Sequence, residues 1–332
     1  MSGVAFVFPG QGSQAVGMAR RVAEAYAAAA DAFATADATL GEGLGRLAWD
    51  GPSDQLDLTV NAQPALLAAS IAFLRGLAAA RAARGLPLVE PAFVAGHSMG
   101  QYSALVAADV ISLEDGTRLV RERGRQMQAA GGDGAMAAVI GLDDERLPEL
   151  LEAGRAHGVF GVANRNSPGQ IVVSGQRAAV EAAVAAARGL GARRAIVLPV
   201  SVAAHSPLMA PAADGMRAVL APIAFADPRM PLLANADAHP LTSGAACRAE
   251  LVDHLTTGVD WVAAVEAMAA AGVTTFVEVG PGKVLAGLIR RIAPEAMTIA
   301  LDDPQAPDGI APQALVPDLT AALPAQSTAQ ET

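Results

Sequence analysis

The sequence predicts an α/β protein in two parts: a large α/β subdomain on a parallel sheet and a small ferredoxin-like subdomain inserted into it. Three observations carry this. Short apolar runs ended by Gly or Pro alternate with longer helical stretches. Between about residues 134 and 202 the elements read β-α-β-β-α-β. Gly96-His97-Ser98-Met99-Gly100 joins a strand of small and apolar residues to a helix, the turn of an α/β-hydrolase-like sheet.

In chain order, Val4-Ala5-Phe6-Val7-Phe8 is a buried strand closed by Pro9-Gly10. Gly12 to Ala38 is rich in Ala, Arg and Glu and reads as helix. Gln63 to Arg84 is a second helix, with Pro64 near its start, where a missing N–H costs nothing. Ala92 to Gly96 is a strand, and Gly100 to Ala108 and Leu113 to Ala130 are helices. In the insert, Ala135–Leu142, Val159–Ala163, Ile171–Ser174 and Ala195–Val200 are strands, and Asp143–Ala156 and Gln176–Leu190 are helices. Beyond it come a strand at Leu232-Leu233, a helix near Trp261–Ala271, the strand Thr275–Val279 and a helix through Arg291. The predicted division is 1–132 with 203–300 for the large subdomain, 133–202 for the small one, and a flexible Pro/Ala-rich tail over 301–332.

With 332 residues, the chain can bury a sizeable core. It carries 23 basic and 33 acidic side chains, a net charge of −10, which argues against a nucleic-acid binder. Mean hydropathy is +0.35, but alanine raises it. The longest suspect apolar segment, Ala65 to Leu74, is stopped by Arg75 well short of the roughly 20 residues a membrane span needs. The N-terminal apolar run is short and has no basic flank, so no signal peptide is expected. The lone cysteine, Cys247, makes neither an internal disulfide nor a Cys-based zinc site and reads as a packing residue. A reduced, cytoplasmic protein that uses no metal fits best.

In the GxSxG turn the glycines allow the sharp bend that lifts Ser98 Oγ off the sheet, and the helix behind it favours developing negative charge. A serine needs a base, and there are five histidines. His97 precedes Ser98 and should point away from its Oγ, in a supporting role. His157, His239 and His254 read as exposed or locally bonded. His205, where Val202-Ala203-Ala204-His205-Ser206 returns from the insert, is the best of the five.

Phe8-Pro9-Gly10-Gln11-Gly12-Ser13-Gln14, Gln63-Pro64-Ala65, the Ser98 turn, Arg123-Gly124, Asn166-Ser167-Pro168-Gly169-Gln170, His205 and Gly280-Pro281-Gly282-Lys283 stand in an order that resembles the malonyl-CoA:acyl carrier protein transacylase family. The resemblance runs from about residue 4 to 295. It implies a Ser98–His205 pair, an oxyanion hole from the Gln11 and Met99 backbone N–H groups, and Arg123 as receptor for the malonate carboxylate. Gln63, His97, Asn166 and Asp260 would support the site. In the family a backbone carbonyl in a Val-x-Trp segment holds the histidine; here that segment is Val259-Asp260-Trp261, so Asp260 would act through its carbonyl or, alternatively, its carboxylate. Gln101 stands where the family often has Glu. Lys283, Arg290 and Arg291 would form a local basic patch for an acidic carrier.

The activity implied is [acyl-carrier-protein] S-malonyltransferase: malonyl-CoA donates its acyl group through a malonyl-serine ester to the carrier's phosphopantetheine thiol, for fatty-acid biosynthesis. The expected enzyme is a monomer that binds no cofactor of its own, nucleic acid or membrane. The alternatives are a trans-acting acyltransferase of a polyketide synthase or malonate decarboxylase system and, from a different class, a serine esterase or thioesterase.

Overall fold

A computed structural model describes residues 3–200 and 202–302. They form a mixed α/β protein with two sheets. In chain order the strands are β1 (Val4–Phe8), β2 (Phe93–Gly96), β3 (Gly134–Ile140), β4 (Phe160–Ser167), β5 (Gln170–Gln176), β6 (Arg194–Val197), β7 (Leu232–Leu233), β8 (Pro240–Leu241), β9 (Val259–Asp260), β10 (Thr275–Glu278) and β11 (Met297–Ala300).

The first sheet has the order β11-β10-β1-β2-β7-β8. Its pairings are parallel except the last, β7 with β8. Parallel sheets are covered on both faces, so a central strand is apolar throughout rather than alternating. β1 shows this: Val4, Phe6 and Phe8 pack into one core, while Ala5 and Val7 pack into a second core on the opposite face. The first core contains much of the helix Thr59–Ala82. That helix alone among the described residues is long and apolar enough to cross a membrane, but 72% of its apolar window is buried inside the protein. The second core is closed by the helices Trp261–Ala270 and Val284–Ile292.

The second sheet has the order β6-β3-β5-β4-β9. Pairings among β3 to β6 are antiparallel, and β9 adds to β4 in parallel. Its own core joins Ala135, Ala137, Val139 and Val173 of the strands to Leu150, Ala179, Val180 and Ala183 of the helices Leu147–Arg155 and Arg177–Ala187. The fifth strand, β9, comes from later in the chain than the other four; two residues carry no periodicity from which to read it.

Several boundaries differ from the sequence reading. The helix expected over 12–38 is two, Arg20–Ala25 and Ala27–Leu40, broken where Tyr26 is extended (φ −135°, ψ 117°). The long helix starts at Thr59, not Gln63, so Pro64 lies inside it, and the N–H it lacks is one that would have reached Val60. A 3₁₀ turn, Asp144–Arg146, precedes the helix Leu147–Arg155. The tail does not begin at 301: Leu301 is buried and its N–H donates to Glu278 O, and Asp302 Oδ2 accepts from Gly282 N–H. The rest of the expected tail, 303–332, lies outside the described residues. Cys247 is buried, which pushes its thiol up to about 11.

Candidate active site

β2 ends at Gly96 and the helix Gly100–Ala107 begins four residues on, leaving Ser98 at the crest of the turn in left-handed backbone (φ 54°). Glycine is required here by close approach. A Cβ on Gly96 would stand 2.0 Å from Gly100 C, and one on Gly100 would stand 2.1 Å from Phe8 O. Ser98 N–H donates to Asn235 Oδ1 at 2.8 Å, and Gly100 N–H to His97 O at 3.0 Å. Of the amides in this turn, that of Met99 has no partner among the described residues.

The loop after β1 packs directly on the turn. His97 N–H donates to Phe8 O, and a Cβ on Gly10 would stand 2.6 Å from His97 O. This brings Gln11 to the wall of the cavity that holds Ser98. The Gln11 side chain donates away to Thr59 Oγ1 at 3.2 Å; its backbone N–H has no partner among the described residues.

His205 Nε2 lies 2.7 Å from Ser98 Oγ. Its Nδ1 lies 2.7 Å from the backbone carbonyl of His254, which can only accept, so the proton is on Nδ1 and Nε2 accepts from Ser98. Burial holds His205 well below the ordinary histidine value, and the neighbouring Arg123 guanidinium lowers it further. The ring is therefore neutral, ready to take a proton.

The carbonyl that orients His205 thus comes from His254, not from Val259-Asp260-Trp261. His254 begins the last four residues of the helix Gly244–Thr257, whose carbonyls lack an intrahelical partner. The negative end of that helix also faces the imidazole. Asp260 instead caps the helix Trp261–Ala270, its Oδ1 accepting from Ala263 N–H at 3.0 Å. It lines a separate cleft with Arg165 and Glu266. His254 itself is buried, not exposed on a polar helix face.

Arg123 projects from the helix Leu113–Ala129 and is 1% exposed. One Nη donates to Ser98 Oγ at 3.0 Å and approaches His254 Nε2 at 3.4 Å. Tyr102 lies under the guanidinium, 5.9 Å from ring centre to Cζ. Arg123 has no carboxylate partner among the described residues, and its Nε has no hydrogen-bond partner there. Burial lowers its pKa.

His97 turns away from Ser98. Its Nε2 meets Asn166 Oδ1 at 2.9 Å and its ring packs on Trp261, 5.6 Å between centres. Burial lowers its pKa, so it is a neutral strut between the Ser98 turn and the second sheet. Gln63 does not line the cavity; its Nε2 approaches Sδ of Met127, which does. Lys283, Arg290 and Arg291 lie around the helix Val284–Ile292 but diverge. Arg291 donates to Gln170 at the cavity wall, whereas Arg290 donates to Thr298 of β11.

Sequence reasoning missed Asn235, Glu250, His254 and Asn164, whose Nδ2 lies 3.4 Å from His97 Nε2. Only Glu250 and His254 left a trace, their i,i+4 spacing on one helix. The cavity measures about 600 Å³, with Ser98, His205 and Arg123 at its polar end and Val284 and Leu288 among its apolar residues. No group of three or more metal-ligating side chains occurs among the described residues. The geometry brings together a serine hydroxyl, a neutral imidazole and a buried cation on the wall of one cavity, a set that can support acyl transfer from an acidic acyl group.

Residues 5–329 match the family described as the acyl transferase domain. Over 314 residues the chain is 47% identical to the malonyl CoA-acyl carrier protein transacylase of Escherichia coli K12, covering 92% of this chain and 98% of that one. The crystal structure of an acyl-carrier-protein-S-malonyltransferase from Bartonella henselae superposes with a TM-score of 0.89 at 42% identity, covering 97% of this chain and 99% of that one. A malonyl-transacylase solved in complex with its type II PKS acyl-carrier protein superposes with a TM-score of 0.85 at 42% identity, over 90% and 96% of the two chains.

Proposed function

The chain belongs to the acyl transferase family, and from that premise we propose that it carries the malonyl group of malonyl-CoA to the phosphopantetheine thiol of an acyl carrier protein, in fatty-acid synthesis. The observation that carries the reading is Arg123, a buried guanidinium 3.0 Å from Ser98 Oγ. A cation there has no role toward an acetyl group, but it matches the free carboxylate of malonate.

Ser98 Oγ attacks the thioester carbonyl as His205 Nε2 takes its proton. The oxyanion lies against the Gln11 and Met99 N–H groups. Collapse releases the CoA thiolate, which leaves with the proton from His205. The carrier's thiol then loses its proton to His205 and attacks the malonyl-Ser98 ester; collapse breaks the ester bond to Ser98 Oγ, which takes the proton back from His205. Throughout, Arg123 holds the malonate carboxylate and replaces its bond to Ser98 Oγ by bonds to that group. The enzyme works as a cytoplasmic monomer and needs no cofactor beyond these two substrates. The relative solved with a carrier protein supports such a partner.

Residues 133–202 act as a ferredoxin-like subdomain set into an α/β-hydrolase-like one, 1–132 with 203–300. The antiparallel order β6-β3-β5-β4 and its two helices support this division.

Intact mass after brief exposure to malonyl-CoA tests the reading. A malonyl adduct absent in Ser98→Ala and passed to a phosphopantetheinylated carrier is expected. An adduct that is hydrolysed instead would make the protein a thioesterase, and none at all would make it a binder.

A further inference from the structure

Arg123 is buried with its charge, and the structure shows how that charge is matched without being used up. Arginine has only donors, so where its Nη lies 3.4 Å from His254 Nε2, that nitrogen must accept. The neutral ring then carries its proton on Nδ1, which points at Glu250 Oε2, 3.2 Å away. Glu250 and His254 are 7% and 1% exposed. The other Glu250 oxygen accepts from Asn235 N–H at 2.7 Å, and Asn235 in turn holds Ser98 N–H. The buried carboxylate is thus joined to Arg123 through one imidazole and to the nucleophile's backbone through one asparagine.

A carboxylate placed directly on Arg123 would fill the guanidinium fork and exclude a substrate carboxylate. With a neutral imidazole between them, the attraction persists over a longer distance while the fork stays open. Burial lowers the Arg123 pKa, and Tyr102 first and Glu250 after it act in the opposite direction. We infer that Glu250 and His254 are specificity-determining positioning residues: Glu250, through the His254 side chain, compensates Arg123 and aims it at the acidic end of the acyl group. This rests on Arg123 being the malonate receptor.

The test uses three variants of the full chain, with Ser98 acylation rates measured for malonyl-CoA and acetyl-CoA and thermal melting as a fold check. Glu250→Gln keeps an acceptor for Asn235 but puts an N–H toward His254 Nδ1. The ring must then accept there and turn its own N–H on Arg123. His254→Leu removes the relay and leaves the carbonyl that holds His205. Both are expected to raise KM for malonyl-CoA and cut the malonyl-over-acetyl preference by about tenfold, with far less change in acetyl transfer. His254→Gln restores one donor and one acceptor, and should keep the preference whatever its overall rate.

A purely structural role would slow both acyl groups alike, or leave His254→Gln as unselective as His254→Leu; either result overturns the inference. Should His254→Leu not fold, Glu250→Gln alone decides. Arg123→Ala is run beside them. If it abolishes the preference and the relay variants do not, the relay falls alone; if it too leaves the preference intact, the receptor reading falls with it.

Discussion

Ser98 and His205 both occupy left-handed backbone, at φ 54° and 59°. Each such conformation costs a non-glycine residue roughly 1–2 kcal/mol, so the surroundings must hold them. Asn235 does this for Ser98, and the His254 carbonyl fixes the His205 ring. The depressed pKa of His205 has a consequence for pH dependence. The active ring is neutral, and its folded pKa lies well below 6.5, because of burial first and then neighbours that include the Arg123 charge. As pH falls through that value the ring is protonated and the base is lost, so the acid limb of Ser98 acylation should lie below pH 6.5. Arg123→Ala removes a positive charge and should move that limb upward, seen in the pH profile of acetyl transfer, which does not need the cation. A limb that stays put or moves down would mean that Arg123 does not act on His205. For malonyl-CoA the same variant should lose about 2 kcal/mol, roughly thirtyfold, the worth of a hydrogen bond between charged groups; acylation kinetics would show it in kcat/KM.

At the scale of elements, the helix Val284–Ile292 lends Val284, Leu285 and Leu288 to the cavity, and a strand residue fixes its start. Glu278, the last residue of β10, accepts from Leu285 N–H at 3.0 Å and Ala286 N–H at 2.8 Å. Burial outweighs these bonds and pushes its carboxyl from 4.5 up to about 7. The folded state therefore holds this proton more tightly than the unfolded chain does. Its contribution to stability is present below pH 4.5, falls as pH rises to about 7 and is level beyond. The loss is on the order of 3 kcal/mol. Melting curves across this interval should show that decline, and Glu278→Gln should flatten it; an unchanged slope would show that the carboxyl is ionised throughout. Elements like these were unequally legible in the sequence. β1 and β2 could be read because a full apolar run marks each of them locally, and the helix Leu113–Ala129 matches the reading to within one residue. Tyr26 breaks a helix that composition alone continues. The site divides the same way. Ser98 and Arg123 were legible because they sit in continuous motifs. The carbonyl of His254 was not, since any residue at that helix end supplies one and only the packing says which end meets His205.

At the scale of the whole molecule, the two sheets meet at the site. The first supplies Ser98 at the end of β2, and β4 of the second reaches across with Asn166 to hold His97. β9, paired to β4, carries Asp260, whose N–H donates to Asn235 O. The nucleophile's turn is thus braced from both sheets, which leaves the cavity mouth as the place where a partner can approach. A chain of net charge −10 repels an acidic carrier overall, so its attraction must be local. If the carrier docks at the helix Val284–Ile292, the divergence of the two arginines predicts which of them it meets. Arg291 reaches Gln170 on the wall of the cavity, which the exposed Val284 also lines, while Arg290 is turned to Thr298 of β11. A carrier that threads its phosphopantetheine arm to Ser98 must cover the first and need not cover the second. Arg291→Glu should therefore raise KM for the carrier by about tenfold at low salt, and Arg290→Glu by much less. Added salt should shrink the difference, because screening weakens exposed charges beyond a Debye length. Transfer to free pantetheine should be unchanged in both, since it needs no docking surface. Equal effects of the two reversals, or a salt-independent one, would place the carrier on another face.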